Sequence, residues 1–331
     1  MPNPTIGDVH VQSALSDVSV AYMQAQDNFI ADIVAPIIPV QKQADKYFVY
    51  DRQDLLRSDA RPRAPGTQSA GGGVRISTDT YFCDRVALHQ DVDDPTRANT
   101  DPAINLDADA TEYITSQIAL KKEKDWVTAF FATGIWDGAS STSDMTGAAA
   151  PASTATGFRF WSDVASTPIE DIRGEIVSVA KRTGRRPNTL VLGPQVWAAL
   201  VDHPDILDRI KHTEKGIVTS DLLASLLDLQ QVKVAWGIED SSVEGSSAAS
   251  YGFLAGKNAL LAYIERSPGL KRPSAMYQFV WTGPVGAVRQ GARIKKFRME
   301  PEESDRIEGE SWYDFKVVGS SLGAFFSAAV V

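Results

Sequence analysis

The stretch DPAINLDADATEYITSQIALKKEKDWVTAFFATG, from Asp101 to Gly134, reads as one long helix. Asp101 can serve as its N-cap, Pro102 suits the first helical position, and Asp107 and Asp109 favour the positive end of the macrodipole. Apolar side chains recur at Leu106, Ala110, Ile114, Ile118, Val127 and Phe131, with Tyr113, Leu120 and Phe130 widening the stripe. The interruption at Lys121, Lys122, Glu123 and Lys124 reads as a solvated face, and Gly134 offers the C-terminal stop. About thirty residues at 1.5 Å each give a rod of about 45 Å, well beyond the usual helix. A rod of that length predicts a flat, elongated molecule with much surface for partners to cover.

The 331-residue chain as a whole is ordinary for a protein with a sizeable core, at 43% hydrophobic and 23% charged. Its length suits two domains, or one large domain with insertions. A net charge of -9 argues against a surface that grips nucleic acid as a whole. Cys83 is the single cysteine, so no internal disulfide is possible and a reducing compartment is expected. No apolar run reaches the roughly 18 residues of a membrane span. The first residues, with Asp8 and Asp17 and no basic start, do not read as a signal peptide.

Upstream of the helix, Phe29, Ile30, Ile33 and Val34 have helical spacing that Pro36 ends, followed by extended chain at Ile37 to Val40. This acidic arm is either the first piece of a core or a strap lying on a neighbour. Strands are predicted at Lys46 to Arg52 and at Val74 to Val86, with Val74, Ile76, Thr78, Thr80 and Phe82 on one face. The span between them, Leu55 to Gly73, is far longer than a hairpin loop needs. Arg52, Arg57, Arg61 and Arg63 stud this region, which points to an arm whose arginines meet acidic surface on a neighbouring subunit.

Downstream, Gly138 to Gly157 is a low-complexity loop rich in Ser, Thr, Ala and Gly. A helix with Ile169, Ile172, Ile176 and Val179 inside then ends at Gly184. Short strands at Thr189 to Leu192, Gln231 to Trp236 and Gly252 to Glu265 alternate with helices at Pro194 to Val201, Asp205 to Lys211 and Asp221 to Leu227, the last capped by Ser220. That alternation gives an α/β layer, and the whole chain reads as α+β. From Met276 onward strands dominate, at Tyr277 to Thr282, Val288 to Met299, Trp312 to Val318 and Ala324 to Val331. Arg289, Arg293, Lys295, Lys296 and Arg298 are followed at once by Glu300, Glu302, Glu303, Asp305, Glu308 and Glu310. These blocks can close on each other across a hairpin or meet the opposite block of another subunit.

No motif carries chemistry. Gly319-Ser320-Ser321-Leu322-Gly323 fits a nucleophile elbow, but that pattern needs a histidine after the serine and the last one here is His212. Gly252 to Asn258 is one residue short of a phosphate loop and lacks its hydroxyl. Asp91, Asp93 and Asp94 break the calcium-loop spacing at Pro95, and His10, His89, His203 and His212 have no metal-ligand spacing. No cofactor, metal or catalytic residue is expected.

The order of parts resembles the tailed-bacteriophage major capsid proteins of the Hong Kong 97-type fold. So do the phrases Asn28-Phe29-Ile30-Ala31-Asp32-Ile33-Val34-Ala35-Pro36, Lys46-Tyr47-Phe48-Val49-Tyr50, Arg63-Ala64-Pro65-Gly66-Thr67 and Tyr313-Asp314-Phe315-Lys316-Val317-Val318. The resemblance covers essentially the whole chain and implies an N-terminal arm at 1–45, an E-loop at 46–90 and a spine helix at 101–134. It further implies an axial domain at 185–265, and a peripheral domain from 91–184 and 266–331. It implies pentamers and hexamers of this chain in an icosahedral shell around double-stranded DNA, forming a virion capsid assembled in the host bacterial cytoplasm. A scaffolding protein, a portal protein and sometimes a decoration protein are the partners implied, with no membrane. Only about a hundred residues precede the helix, so the scaffold is expected to be a separate chain. With no lysine at the proposed E-loop tip, the shell is expected to be non-covalent. Inter-subunit contacts are expected from Arg52, Arg57, Arg61 and Arg63 to the run holding Glu300, Glu302, Glu303 and Asp305. The alternatives are an encapsulin-type nanocompartment shell, another phage structural part such as a tail or baseplate subunit, and, from another class, a serine hydrolase at Ser321.

Overall fold

The computed structural model describes residues 24–100, 105–136, 144–149, 157–210, 218–243, 245–246, 248–269, 271–283 and 292–331. The arm begins with the short helix α1 (Ala31–Val34) and strand β1 (Ile37–Val40), separated by Pro36 as the spacing predicts. It belongs to the core of its own chain. Ile30, Ala31, Val34 and Ala35 are buried, and β1 pairs in parallel with a strand some 240 residues later. Strands β2 (Ala44–Tyr50) and β3 (Ile76–Phe82) form an antiparallel pair. Between them lies helix α2 (Arg52–Leu56), which Asp51 caps by accepting from the Gln53 N–H, so the first strand ends before Arg52. The single strand expected over Val74 to Val86 is two. Cys83 is the break, and β4 (Asp84–Asp93) turns into a different sheet.

Helix α3 (Asp94–Asn99) leads to the long helix α4 (Leu106–Phe130). Its 25 residues span about 37 Å. The cap is Asn105, whose side chain accepts from the Ala108 N–H at 3.2 Å, and not Asp101, which lies outside the described residues with Pro102. The larger correction concerns the polar run. Lys121 and Lys124 are solvated, but the Lys122 side chain is 11% exposed and Glu123 is 1% exposed. The stripe Ala110, Ile114, Ile118 continues at Lys122 and then Trp126 and Phe130, three or four residues apart, so the two polar residues occupy core positions.

Strands β5 (Asp144–Ala148) and β6 (Gly157–Arg159) follow, so the stretch expected as loop contains strand; the rest of it lies outside the described residues. Helix α5 (Pro168–Thr183) ends at Gly184, whose φ of +70° suits the left-handed cap there. Next come β7 (Thr189–Leu192), α6 (Pro194–Val201), α7 (Pro204–Ile210) and α8 (Ser220–Leu227). Thr219, not Ser220, caps α8, accepting from the Leu222 N–H. Strand β8 is Gln231–Val234, and the long strand expected over Gly252 to Glu265 is a pair of short ones. Strand β10 (Tyr251–Phe253) hydrogen-bonds to β9 (Ile238–Asp240), and β11 (Ala259–Ala262) lies in a larger sheet. A turn through Gly256, at φ +52°, separates them. A strand rather than a helix follows that turn, so it is no phosphate loop. The chain closes with β12 (Met276–Trp281), β13 (Ala292–Met299), β14 (Ser304–Val317) and β15 (Gly323–Ser327). Strand β14 starts eight residues before its expected start at Trp312, taking in Asp305, Glu308 and Glu310 of the acidic run.

Two sheets organise these elements. In the first the order is β1-β12-β14-β13, with β4 also paired to β14. Helix α4 lies on this sheet so closely that a Cβ at Gly309 would come within 2.4 Å of Ile114 Cγ2. In the second the order is β6-β5-β15-β11-β7-β8. Its strands alternate with period two between two cores. Leu190, Leu192, Leu261 and Phe326 join the core under α5 to α8. Val191, Leu260, Ala262 and Phe325 join the core that holds Trp126, Phe130, Trp136 and the arm. Each such large side chain stabilises the fold by about 1.5–3 kcal/mol on burial. The chain is α+β, with the end of α4 wedged where both sheets meet.

Candidate assembly surfaces

The β2–β3 register puts Phe48, Tyr50, Ile76 and Phe82 on one face and Tyr47, Val49, Asp79 and Tyr81 on the other. The second face is anchored: Tyr81 stacks on Phe279 at 4.6 Å, Tyr47 lies 5.4 Å from the same ring, and the Tyr47 hydroxyl donates to Asp79 at 2.8 Å. The first face is open. Phe48 is 62% exposed, Ile76 56% and Phe82 52%, and Leu55, Leu56 and Val74 beyond them are exposed too. A two-stranded ribbon with an uncovered apolar face is marginal alone and marks an interaction surface. A second open apolar patch lies on β9–β10, where Trp236 meets Phe253 edge-on and Tyr251 is exposed.

The loop arginines behave differently from one another. Arg57 pairs with Asp59 at 2.7 Å, and Arg63 donates to the Thr67 carbonyl. Arg61 is exposed and has no ion-pair partner among the described residues. Arg52 Nη1 is buried without a hydrogen-bond partner among the described residues. Sequence reasoning missed Arg75, which binds Asp51 at 2.7 Å and Asp54 at 2.9 Å and closes the base of the loop. On the acidic side, Glu300 and Glu302 sit in a 3-10 turn with Glu303 after it, all exposed at the tip of β13–β14. Glu302 lies 3.7 Å from Arg306. Asp305 already has partners, with Arg97 at 3.0 Å, Lys296 at 3.4 Å and Arg298 at 3.5 Å. No ion pair joins any of the four loop arginines to these acids within the described residues.

The blocks of opposite charge do close across their own hairpin. Arg293 faces Glu310 and Lys295 faces Glu308 in register, and Arg85 on β4 reaches both glutamates. Burial alone would raise the Glu310 carboxyl, but hydrogen bonds from Lys295 and Arg293 outweigh it and hold it at about 2. Asp91 binds Arg306 and Asp94 binds Arg298, so two of the three carboxylates weighed as a cation site are occupied by arginines. Burial pushes the Cys83 thiol up to about 12, and its sulfur lies 3.6 Å from the Phe279 carbonyl. Ser321 sits in the 3-10 turn between β14 and β15 with its carbonyl bound by Arg182, and no histidine hydrogen-bonds it among the described residues. His203 is buried instead against Ser166 at 2.9 Å, and its Nδ1 accepts from the Asp205 N–H at the start of α7.

No protein-family model matches the chain. It is similar to the major capsid protein of Burkholderia phage BcepMu, 24% identical over 263 residues that make up 78% of each chain. It is also similar to the major capsid protein of Pseudomonas phage JBD67, 28% identical over 233 residues, 68% of each chain. The chain is of the phage major capsid kind. Solved structures give the same fold. A phage-related protein from Bordetella bronchiseptica RB50 has a TM-score of 0.67 at 18% identity, covering 92% of this chain and 94% of that one. The capsid of Cyanophage P-SCSP1u has a TM-score of 0.62 at 9% identity, covering 100% and 96%. The holo-SrpI encapsulin of Synechococcus elongatus follows at 0.53 and 11%, covering 95% and 90%. The capsid subunit therefore has the Hong Kong 97-type fold, and its kin are structural proteins rather than enzymes.

Proposed function

We propose that this chain is the coat subunit of a tailed bacteriophage, assembling as pentamers and hexamers into an icosahedral shell around double-stranded DNA. Kinship with two phage major capsid proteins carries the reading, and the open apolar face of β2–β3 supplies the physical reason to assemble. Residues 1–45 act as the arm, 46–90 as the E-loop laid over a neighbour, and 185–265 as the axial domain. The remainder is peripheral, with the border running through the second sheet, since β15 lies between β5 and β11. Arg52, Arg57, Arg61 and Arg63 reach the neighbour's acidic tip at Glu300, Glu302, Glu303 and Asp305. Among the described residues Arg61, Glu300 and Glu303 are the exposed members whose side chains make neither an ion pair nor a hydrogen bond, which makes them the strongest of the set.

Assembly takes place in the host cytoplasm with a separate scaffolding protein and a portal protein, and a decoration protein where the shell needs one. The net charge of -9 suits a container whose phosphate-rich cargo must leave again. An encapsulin-type shell is the second reading, favoured by the shared fold with the Synechococcus encapsulin at a lower TM-score than the cyanophage capsid. Electron microscopy of the recombinant chain, with and without the genes beside its own, decides. Closed shells or rings of five or six are expected, and DNA inside distinguishes phage from enzyme-filled encapsulin. A clean monomer under co-expression would overturn both readings.

A further inference from the structure

Glu123 is the charged residue of α4 with the least exposure, at 1%. One carboxylate oxygen, Oε2, accepts from the Ile30 N–H at 3.0 Å and the Ala31 N–H at 2.8 Å, ninety residues away in sequence. The other, Oε1, is buried with no hydrogen-bond partner among the described residues. The side chain is closed in from the far side by Gly237, where an added Cβ would lie 3.4 Å from Glu123 Cγ. The arm therefore runs between α4 and the segment around β9. Gln24 fastens it there by donating to the Ile238 carbonyl at 2.7 Å and accepting from the Ile238 N–H at 3.0 Å.

We propose that Glu123 is a positioning residue that seats the N-terminal arm on the long helix, a latch that holds more tightly in acid. The charged groups around it come from three elements. Asp32 on α1 pairs with Lys122 on α4. The Gln278 amide, in the orientation that satisfies both neighbours, donates to Asp32 at 2.9 Å and accepts from Lys122 at 3.0 Å. Glu239 on β9 pairs with Lys124. Lys122 is thus paired with Asp32, and its pull on Glu123 is weaker than the repulsion that Asp32 exerts on the same carboxylate. Two N–H groups and a lysine already paired with another carboxylate are a weak environment for a buried carboxylate.

The chemistry fixes the sign. Burial raises the Glu123 carboxyl to about 7, against the opposing pull of the Ala31 and Ile30 N–H groups, whereas a released arm would leave it at the ordinary 4.5. The seated arm holds a proton that the released arm does not between those two values. Seating is therefore strongest below pH 4.5 and weakens as pH rises to 7, by on the order of 100-fold in the arm's opening equilibrium. Above pH 7 the buried carboxylate is charged in both states and the dependence levels off. The arm then stays seated through its buried Ile30 and Val34 and through the β1–β12 pairing.

Hydrogen exchange on the purified full chain tests this without requiring assembly, so its outcome is separate from that of the shell reading. Protection factors at Ile30 and Ala31, corrected for intrinsic exchange, are expected to fall about 100-fold between pH 4.5 and 7.5. Glu123→Gln keeps the shape and cannot titrate, so its protection at both amides should be flat with pH. Amides of β1 should show no such trend in either protein, and Glu123→Ala should expose Ile30 and Ala31 at every pH. If Glu123→Ala fails to fold, the Glu123→Gln profile still decides. Flat protection in the unmodified chain, or the same slope in Glu123→Gln, would overturn the latch.

Discussion

The molecule contains two long hairpins that solve opposite problems. In β13–β14, positive and negative side chains face each other in register, β4 adds a third strand, and α4 covers one side. In β2–β3 no third strand is added among the described residues, and Phe48, Ile76 and Phe82 face outward. The first hairpin is finished within its own chain. The second is left with an open apolar face, and the proposed function has another copy of the chain cover it. Charge pattern and apolar pattern thus separate a hairpin closed within the subunit from one left open on it.

That contrast breaks most visibly when one substitution is placed in each hairpin and the folded subunit is weighed first. Glu310→Ala removes a fully buried carboxylate from between Arg85, Arg293 and Lys295, and should cost the subunit about 3 kcal/mol in chemical denaturation. Because the folded carboxyl sits at about 2, below its ordinary 4.5, its contribution is complete above pH 4.5 and is lost as pH falls toward 2. Glu310→Gln should remove that acid sensitivity, and a subunit no less stable after either change would show that the hairpin is not closed by charge. Phe48→Asp, in the other hairpin, should leave subunit stability within about 0.5 kcal/mol, since the side chain touches little of its own chain. Shell yield by electron microscopy should nevertheless fall about tenfold or more, as for an anchor residue lost from an interface. Normal shells from Phe48→Asp would mean that the open face faces solvent in the particle as well.

The sequence carried this layout unevenly. Period-two alternation over 44–50 and 76–82 was enough to assign faces, because strand geometry leaves no other choice once pairing is antiparallel. The long helix was legible from its apolar spacing, but not its true start, because Asp101 and Asn105 are equally good caps and only the fold chooses. Glu123 was misread as solvated because polarity outweighed position, although Trp126 and Phe130 lie three and seven residues beyond it on the same stripe. Strand β14 was read too short because Asp305, Glu308 and Glu310 look like loop until their partners on β13 and β4 are known. Arg75 gave no signal at all, since its partners Asp51 and Asp54 lie across an irregular loop of more than twenty residues. Non-local pairing decides each of these, and composition does not encode it.

The smallest expected effect sharpens the contrast where the two hairpins would meet. Arg57 is neutralised by Asp59 in its own loop, whereas Arg61 is exposed and has no such partner. Glu303 at the tip of β13–β14 is likewise exposed without an ion pair. If the open hairpin of one subunit reaches the closed hairpin of the next, Arg61→Ala should leave the subunit unchanged and weaken the shell by only about 0.5 kcal/mol per contact, as exposed ion pairs do. The loss should vanish in about 0.5 M salt, where such pairs are screened, while the Phe48→Asp defect should persist because apolar burial is not screened. Shell dissociation in denaturant at low and high salt measures both. Exchanging the charges, with Arg61→Glu and Glu303→Arg together, should restore what Arg61→Glu alone removes. Failure of that rescue would leave the apolar face as the whole of the contact and remove the arginines from it.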